Sequence, residues 1–543
     1  MKLGVIGNGM VSALINGRGD LVWYCFPRFD SDPVFCSLVN GDPQRPDANG
    51  TFAVELDALA STEQSYVRNT AVLRTEQRDH QGAALEILDF CPRFRHYGRY
   101  FHPSTVIRLL RPLRGDPQVR IRLRPMSHYG AERCEVTHGT NHLRFVGSPG
   151  GVIRATTNAS ITALLEEKAF VLDRPIALVL TPDESLRESP LEVAEQFLHN
   201  TIDYWHGWVR NLSIPFEWQE EVIRAAITLN LSVFRDTGAI IAAPTTSLPE
   251  AAHMARNWDY RLCWLRDSYF VVRALNRLGA TNAMEDFLRY ITNLVADIGG
   301  GEGGGMQPVY GINGDAELDE VEVPHLRGYR CMGPVRVGNQ AYEQRQHDVY
   351  GAVVMALTQL MFDARITTVH ADALLPRLER VGELAVAYFE QPDAGIWELR
   401  GKAREHTYSS LMCWAACDRL ARIAVRLGDS ERAARWQREA ARMHETILAR
   451  AWCDERNSFV ASFEGSTLDA SLLLMFELGF LPPNDPRMLG TLAAVERELL
   501  FDGFVYRYVE ADDFGEPENA FVVCTFWLVD ALAMVGRHEE ARA

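Results

Sequence analysis

Residues 189–212, SPLEVAEQFLHNTIDYWHGWVRNL, mark a change in the periodicity of the whole chain. Before this stretch, apolar residues alternate over short runs. Within it and beyond it, they recur at the spacing of an amphipathic helix. The sequence therefore predicts a domain at 1–190, a linker helix at 191–215 and a helical domain at 216–543.

The N-terminal part is predicted to be a large antiparallel β-sandwich. Its period-two runs are separated by Gly, Pro, Asp and Asn, which is typical of strands joined by turns. The runs are GVIG, DLVWYCF, TFAVEL, TAVLRTEQ, ALEILDFCPRF, TVIRLLRPL, QVRIRLRP, LRFVG, GVIRATT and FVLDRPIALVLTP.

The C-terminal part is predicted to be a ring of helix hairpins. Helical periodicity covers 217–235, 267–279, 282–297, 340–363, 371–390, 407–427, 430–451, 467–478, 486–500 and 520–536, and a further helix opens at 538–543. So many antiparallel helix pairs cannot bury their apolar faces in a flat layer. Because no 34- or 40-residue repeat is visible, a closed toroid is favoured over a solenoid. Its long loops at one end would form the pocket.

The composition of the chain argues against several classes of function. The 543 residues are 47% apolar, enough for a large core, and carry a net charge of −17, which argues against a nucleic-acid partner. No signal-peptide core and no apolar run of membrane-spanning length is present, and the ten cysteines are scattered. We expect a cytoplasmic protein without a metal site or cofactor. The run GGGEGGG at 299–305 follows a helix and lacks a phosphate-loop lysine, which indicates a flexible loop.

Residues 257–267, NWDYRLCWLRD, combine aromatic rings with charged groups directly before a helix. A pyranose has apolar faces and an equator of hydroxyls, so aromatic faces beside fixed charges suit a sugar site. The alternative interpretation is a helix N-terminus with Asp267 near its positive end and the tryptophans in the core.

Two further loops carry candidate groups. In DAGIWELR at 393–400, a carboxyl beside an indole would be partly desolvated, which favours its neutral form and suits Glu398 to protonate a leaving oxygen. A Trp-Glu pair also occurs by chance. In FVYRYVEADDFGEPE at 504–518, Arg507 and Glu518 flank the predicted pocket, while most of the other acids are expected in solvent. Carboxylates and aromatic rings together indicate glycoside hydrolysis.

Five blocks of the chain resemble glycoside hydrolase family 15, the glucoamylase and bacterial trehalase group, in the order found in that family. They are LVWYCFPRFDSDPVF, ARNWDYRLCWLRDSYFVVRALNRLG, RGYRCMGPVRVGNQAYEQRQHDVYGAV, DAGIWELRGKAREHTYSSLMCWAACDRL and ENAFVVCTFWLVDALAMVGR. The resemblance implies a super-β-sandwich followed by an (α/α)6 barrel. It also implies inverting, exo-acting hydrolysis of an α-glucoside, with release of glucose from the non-reducing end.

The resemblance also implies site residues. Glu398 matches the general acid, and Arg266 and Asp267 match the pair that binds the first glucose. Trp397 is expected to stack nearby, and Arg507 resembles an arginine that holds substrate hydroxyls. The substrate-binding set is completed by Trp264 and Glu518, while Trp258 and Asp259 are assigned to the pocket wall.

The sequence departs from the family pattern at its end. The family's general base follows the FWLVDAL-type helix, in a segment with a Glu, a TG-containing loop and an NFPQ-type helix, which 538–543 do not reach. We therefore expect that C-terminal barrel helices are missing and that the base lies outside this chain, with Glu518 or Glu510 as stand-ins otherwise. The alternative function is a catalytically impaired, carbohydrate-binding member. Trehalose or a short α-glucan is the favoured substrate.

Overall fold

The computed structural model describes residues 2–41, 49–254, 256–297, 305–363, 365, 371–513 and 515–543. Its N-terminal part contains two large antiparallel sheets, as predicted. The first consists of Leu3–Gly7, Ser12–Asn16, Leu21–Cys25, Pro33–Phe35, Thr51–Leu56, Gln118–Arg124 and Phe170–Val171. The second consists of Leu59–Tyr66, Leu73–Asp79, Ala84–Phe90, Val106–Arg114, Glu135–His138, His142–Val146, Ile153–Thr157 and Ile176–Pro182.

Four of these strands are absent from the prediction. They are Ser12–Asn16, Pro33–Phe35, Leu59–Tyr66 and Glu135–His138. The strand Leu59–Tyr66 lies at the edge of its sheet and reads LASTEQSY, with side chains that are exposed or only half-buried. A polar edge strand carries little apolar alternation, so its sequence does not distinguish it from a loop.

A buried ion pair joins the two sheets. Arg108 and Asp89, on neighbouring strands of the second sheet, both have fully buried side chains and lie 2.7 Å apart. The Arg108 guanidinium also crosses the sandwich, donating to the carbonyl of Phe52 at 2.6 Å and to that of Gly19. Because this cation reaches two backbone carbonyls of the first sheet, it fixes the relative position of the sheets as well as filling the core.

The helices follow the predicted order. They are α1 (Ile161–Leu165), α2 (Pro190–Arg210), α3 (Gln219–Leu231), α4 (Leu265–Arg277), α5 (Thr281–Asp297), α6 (Asp348–Phe362), α7 (Ala371–Tyr388), α8 (Thr407–Arg426), α9 (Ser430–Arg450), α10 (Leu474–Leu478), α11 (Pro486–Leu499), α12 (Val522–Met534) and α13 (His538–Arg542). Only the single-turn α1 falls in the region predicted to be entirely strands.

The helices from α3 onward form a toroid of two layers. Alternate helices α4, α6, α8, α10 and α12 are neighbours in the inner layer, and the intervening helices pack outside them. One large apolar cluster runs through this set. The linker helix α2 packs on the second sheet and shares a small cluster with α3 through Trp205 and Ile227. A β-sandwich followed by a helical toroid is therefore the architecture of the described residues, as the sequence predicted.

Two predicted helices differ in the structure. The segment 340–363 divides into a 3-10 turn at Gln340–Glu343 and α6, with residues 344–347 between them. The segment 467–478 begins later, as a 3-10 turn at Ala470–Leu473 that continues directly into α10. Residues 299–304 of the predicted flexible glycine loop lie outside the described residues.

The remaining regular elements are short. They are Ser37–Val39 (a 3-10 turn), Asn40–Gly41, Phe94–His96, Arg99–Phe101, Met126–Ser127, Glu132–Arg133, Cys263–Trp264, Val309–Tyr310, Val321–Glu322, Gly328–Tyr329, Arg336–Val337, Trp452–Cys453, Ser458–Phe459, Leu500–Phe501 and Phe504–Val505. Among the helices that the structure describes, none has both the length and the apolar character needed to cross a bilayer.

The Arg108 contacts lead to a stability prediction. Substitution Arg108→Met leaves Asp89 buried without a partner and should lower the free energy of unfolding by about 3–5 kcal/mol. The matched control is Arg144→Met, since Arg144 pairs with Asp183 on the surface of the same sheet, where ion pairs contribute little. Chemical denaturation followed by circular dichroism measures both. Equal effects of the two substitutions would contradict the role of Arg108.

Candidate active site

The first part of the site is the start of α4. The short strand Cys263–Trp264 pairs with Val309–Tyr310 and leads directly into the helix, so Arg266 and Asp267 occupy its first turn. Trp264 is buried and its ring lies 5.7 Å from that of Tyr260. This strand-to-helix corner brings together Trp264, Arg266 and Asp267.

The second part is the acid loop, residues 389–406 between α7 and α8. Asp393 and Arg404 exchange two backbone hydrogen bonds of 2.9 and 3.1 Å, which close the neck of the loop. Gly395 has a φ of +67°, and a Cβ there would lie 2.7 Å from the His406 ring. Glu398 itself has a φ of +58°, in the left-handed region that non-glycine residues rarely adopt. Such backbone strain is common at functional sites.

The carboxyl group of Glu398 is held through one of its two oxygens. Oε1 accepts a hydrogen bond from Trp264 Nε1 at 2.6 Å and one from the Arg266 guanidinium at 3.3 Å. Within the part of the chain that the structure describes, no hydrogen bond to Oε2 is found, and 26% of the side chain is exposed. Oε2 is therefore the oxygen that can carry a proton toward a ligand. The indole in contact with the acid belongs to Trp264, whereas Trp397 was the neighbour expected from the sequence.

Arg266 connects this acid to two further carboxylates. Its guanidinium lies 3.5 Å from Asp267 and 3.5 Å from Asp348, and donates to Gln346 at 2.8 Å. Burial acts to lower the pKa of Arg266, but the three carboxylates outweigh it and raise the pKa. Asp348, at the start of α6, is fully buried, and desolvation raises the pKa of its carboxyl against the opposing charge of Arg266.

Asp267 is the most exposed carboxylate of this cluster. Its side chain is 46% exposed, against 26% for Glu398 and 0% for Asp348. Desolvation by burial raises the pKa of Asp267, Glu398 and Asp348 add to the rise, and Arg266 opposes it. An accessible carboxyl fixed by a guanidinium can accept hydrogen bonds from two hydroxyls of a bound sugar.

Trp397 is fixed from the other side. Its Nε1 donates to Asp469 Oδ2 at 3.0 Å, and its ring lies 6.0 Å from Tyr508 and 6.2 Å from Trp527. Asp469 is buried, and this burial raises its pKa to about 6 although Ser471 and Trp397 donate hydrogen bonds to it. Trp397 therefore lies beside the acid in the sequence but is held by a different carboxylate.

The candidate site residues of the segment 504–518 lie in different surroundings. Arg507 forms an ion pair with Glu250, a residue that the sequence analysis missed. The Glu518 side chain is exposed, and its carbonyl accepts from Tyr506 at 3.2 Å. Glu510 lies 3.6 Å from Arg404 at the outer side of the acid loop.

Trp258 and Asp259 have supporting roles in the wall. Asp259 and Arg261 form a buried pair at 2.7 Å, and Arg261 also donates to the carbonyl of Ser31 in the sandwich domain at 2.8 Å. Arg400 lies 4.1 Å over the Trp258 ring. Asp259 is therefore a structural anchor that joins the two domains behind the cleft.

The other missed residues carry weak sequence signals. Asp348 lies in the motif RQHDVYG, and Asp469 lies in LDASLL, within segments predicted as continuous helix. An Asp at a helix start is usually interpreted as a cap. Only their placement beside Arg266 and Trp397 marks these two aspartates as part of the site.

This arrangement is suited to general acid chemistry at a sugar. The Glu398 carboxyl has one oxygen that accepts no hydrogen bond from the described residues, and the Asp267 carboxyl can bind hydroxyls. The aromatic ring of Trp264 contacts the Glu398 carboxyl, and Trp397 is the residue directly before Glu398. No group of three or more His, Cys, Asp or Glu side chains that could hold a metal ion is present among the described residues.

Comparison with known sequences gives two family matches that together span most of the chain. Residues 219–542 match Glycosyl hydrolases family 15, and residues 1–161 match Trehalase-like, N-terminal. A trehalase of Mycolicibacterium smegmatis is 32% identical over 573 residues, covering 99% of this chain and 83% of that protein. A trehalase of Thermoplasma volcanium is 30% identical over 554 residues, covering 99% and 85%.

Among solved structures, a bacterial glucoamylase complexed with acarbose has the same fold. Its TM-score is 0.69 at 14% sequence identity, over 99% of this chain and 87% of that one. The sandwich and the toroid are thus both covered by the sequence matches and by the structural match. The chain belongs to glycosyl hydrolases family 15.

Proposed function

We propose that the protein is an inverting, exo-acting hydrolase that releases glucose from the non-reducing end of trehalose or of a short α-glucan. The observation that carries the proposal is the Glu398 carboxyl, whose Oε1 is held by Trp264 and Arg266 while Oε2 accepts no hydrogen bond from the described residues. The family membership supports the reaction type. Relatives named trehalase that match nearly the whole chain support trehalose as the first substrate to test.

In this proposal each residue has a defined task. Glu398 protonates the glycosidic oxygen from Oε2 as the bond to the anomeric carbon breaks. Asp267 binds hydroxyls of the glucose, and Arg266 keeps both carboxyls in place. Trp397 contributes aromatic surface to the first subsite, Trp264 holds Glu398 from the pocket wall, and we assign Arg507 and Glu518 to the rim.

Inversion predicts a specific product from trehalose. Water attacks the anomeric carbon from the face opposite the leaving group while a second carboxylate, ~6.5–9.5 Å from the acid, accepts its proton. The attacked glucose is therefore released as the β-anomer, while the leaving glucose keeps its α-configuration. Proton NMR during the first minutes of the reaction should show the two anomers in equal amounts.

Maltose, isomaltose and soluble starch are compared in the same assay. Two α-anomers from trehalose would contradict inversion. Absence of glucose release from all four substrates by folded protein would contradict hydrolysis by this chain and favour the catalytically impaired, carbohydrate-binding alternative.

Glu398→Gln should abolish trehalose hydrolysis, because an amide keeps the shape of the side chain but cannot donate the proton. The expected loss in kcat is about 10²–10⁴-fold. Hydrolysis of α-glucosyl fluoride should fall much less, since fluoride leaves without protonation. The matched control is Glu405→Gln on the same loop, because Glu405 pairs with Arg450 away from the cleft. A loss below about tenfold on trehalose would remove Glu398 from the acid role.

Asp267→Ala should weaken substrate binding and turnover together, because hydroxyl contacts worth about 1–3 kcal/mol are lost. This corresponds to roughly tenfold to hundredfold in kcat/KM for trehalose. Steady-state kinetics measures the change, and Asp203→Ala on the exposed face of α2 is the control. An unchanged kcat/KM would show that Asp267 does not contact the sugar.

A further inference from the structure

Asp469 is a buried carboxylate that the proposed proton transfer does not use. It lies immediately before the 3-10 turn Ala470–Leu473, with 4% of its surface exposed. Oδ1 accepts from Ser471 N at 2.9 Å and from Ser471 Oγ at 2.5 Å. Oδ2 accepts from Trp397 Nε1 at 3.0 Å. The two oxygens therefore have separate functions, one in capping the turn and one in holding the indole.

The turn that carries Asp469 is itself well fixed. Ala470 N donates to the carbonyl of Arg507 at 2.9 Å, and the turn packs against α8, α11 and α12. Residues 470–473 are all buried. Asp469 consequently projects from a rigid part of the toroid toward the more irregular acid loop.

Trp397 needs such an anchor because its other contacts are loose. Its ring meets Tyr508, Phe521 and Trp527 only in tilted or edge-on orientations, with ring centroids 6.0–6.4 Å apart. A small cavity of about 40 Å³ lies against Trp397, Asp469 and Tyr508. Space next to the ring allows it to turn if the hydrogen bond to Asp469 is lost.

The position of Trp397 is transmitted directly to the acid. Glu398 is the next residue, and its left-handed backbone is held by hydrogen bonds from its N–H to Gly395 and from Gln344 to its carbonyl. A rotation of Trp397 would change the peptide from which the Glu398 side chain projects. A displacement of about 1 Å at a reacting group can reduce the rate about 10²-fold.

We propose that Asp469 is a positioning residue that fixes Trp397 and thereby places the Glu398 carboxyl for proton donation. This inference rests on the proposed acid role of Glu398. Asp469 touches neither Glu398 nor the cleft in the described contacts, and acts through the indole.

Asp469→Asn tests the inference with little change in shape. The amide oxygen must remain toward Ser471 N, so the amide nitrogen faces Trp397 Nε1, and two donors oppose each other. At pH 7.5 we expect kcat for trehalose to fall by about tenfold to about hundredfold. The kcat for α-glucosyl fluoride should change less than about threefold, because fluoride leaves without an acid. Any change in KM through the Trp397 surface should be the same for both substrates. In a Trp397→Phe background, which lacks the donor, Asp469→Asn should add little further loss.

The control is Asp485→Asn. Asp485 caps α11 through Arg487 N at 2.9 Å in the same way, but lies at the outer layer of the toroid. Asp485→Asn should leave the turnover of both trehalose and α-glucosyl fluoride unchanged. Equal losses on trehalose and α-glucosyl fluoride in Asp469→Asn, or fully additive losses with Trp397→Phe, would overturn the inference and indicate a merely structural role.

A second measurement separates this inference from the proposed function. The measurement is fluorine NMR of protein labelled with 5-fluorotryptophan. The Trp397 resonance is assigned as the one that is lost in Trp397→Phe. It should shift or broaden in Asp469→Asn but not in Asp485→Asn. An unchanged resonance would overturn the inference whatever the activity. A shifted resonance in a protein that hydrolyses no α-glucoside would instead preserve the Asp469 contact and contradict the proposed function.

Discussion

The site depends on one guanidinium. Arg266 lies within 3.5 Å of Asp267, Asp348 and Glu398, which come from the start of α4, the start of α6 and the acid loop. Three carboxylates this close would repel one another strongly in a cleft that is partly shielded from water. A single cation from the first turn of α4 allows them to share the cleft. It also leaves Asp267 accessible, and one oxygen of Glu398 accepts no hydrogen bond from the residues that the structure describes.

The sandwich domain holds the segment that leads into α4, which carries Arg266. Arg261 bonds both to Asp259, six residues before Leu265, and to the carbonyl of Ser31 in the sandwich. Trp23, also in the sandwich, donates to the carbonyl of Pro244 at 2.7 Å in the loop that precedes α4. The strand-to-helix corner that carries Arg266 is therefore held by both domains, which accounts for their close association.

Much of the architecture followed from periodicity. The strands with clear apolar alternation and the long amphipathic helices were predicted within a few residues, because their burial patterns are local. The polar edge strand Leu59–Tyr66 was missed, since no alternation marks it. The helix predicted over 340–363 is interrupted in the structure before α6, where Gln346 contacts Arg266. The helix predicted over 467–478 begins only after Asp469, whose side chain contacts Trp397.

The sequence by itself determined the fold class, the order of the elements and the residue types near the cleft, since these depend on local spacing and on motifs such as WLRD and IWELR. Only the tertiary structure decided which groups meet. It paired Glu398 with Trp264 in place of Trp397, Trp397 with Asp469, and Arg507 with Glu250. Each of these pairs joins residues more than 70 positions apart, and hydrogen bonds at such separation depend on how helices and loops pack.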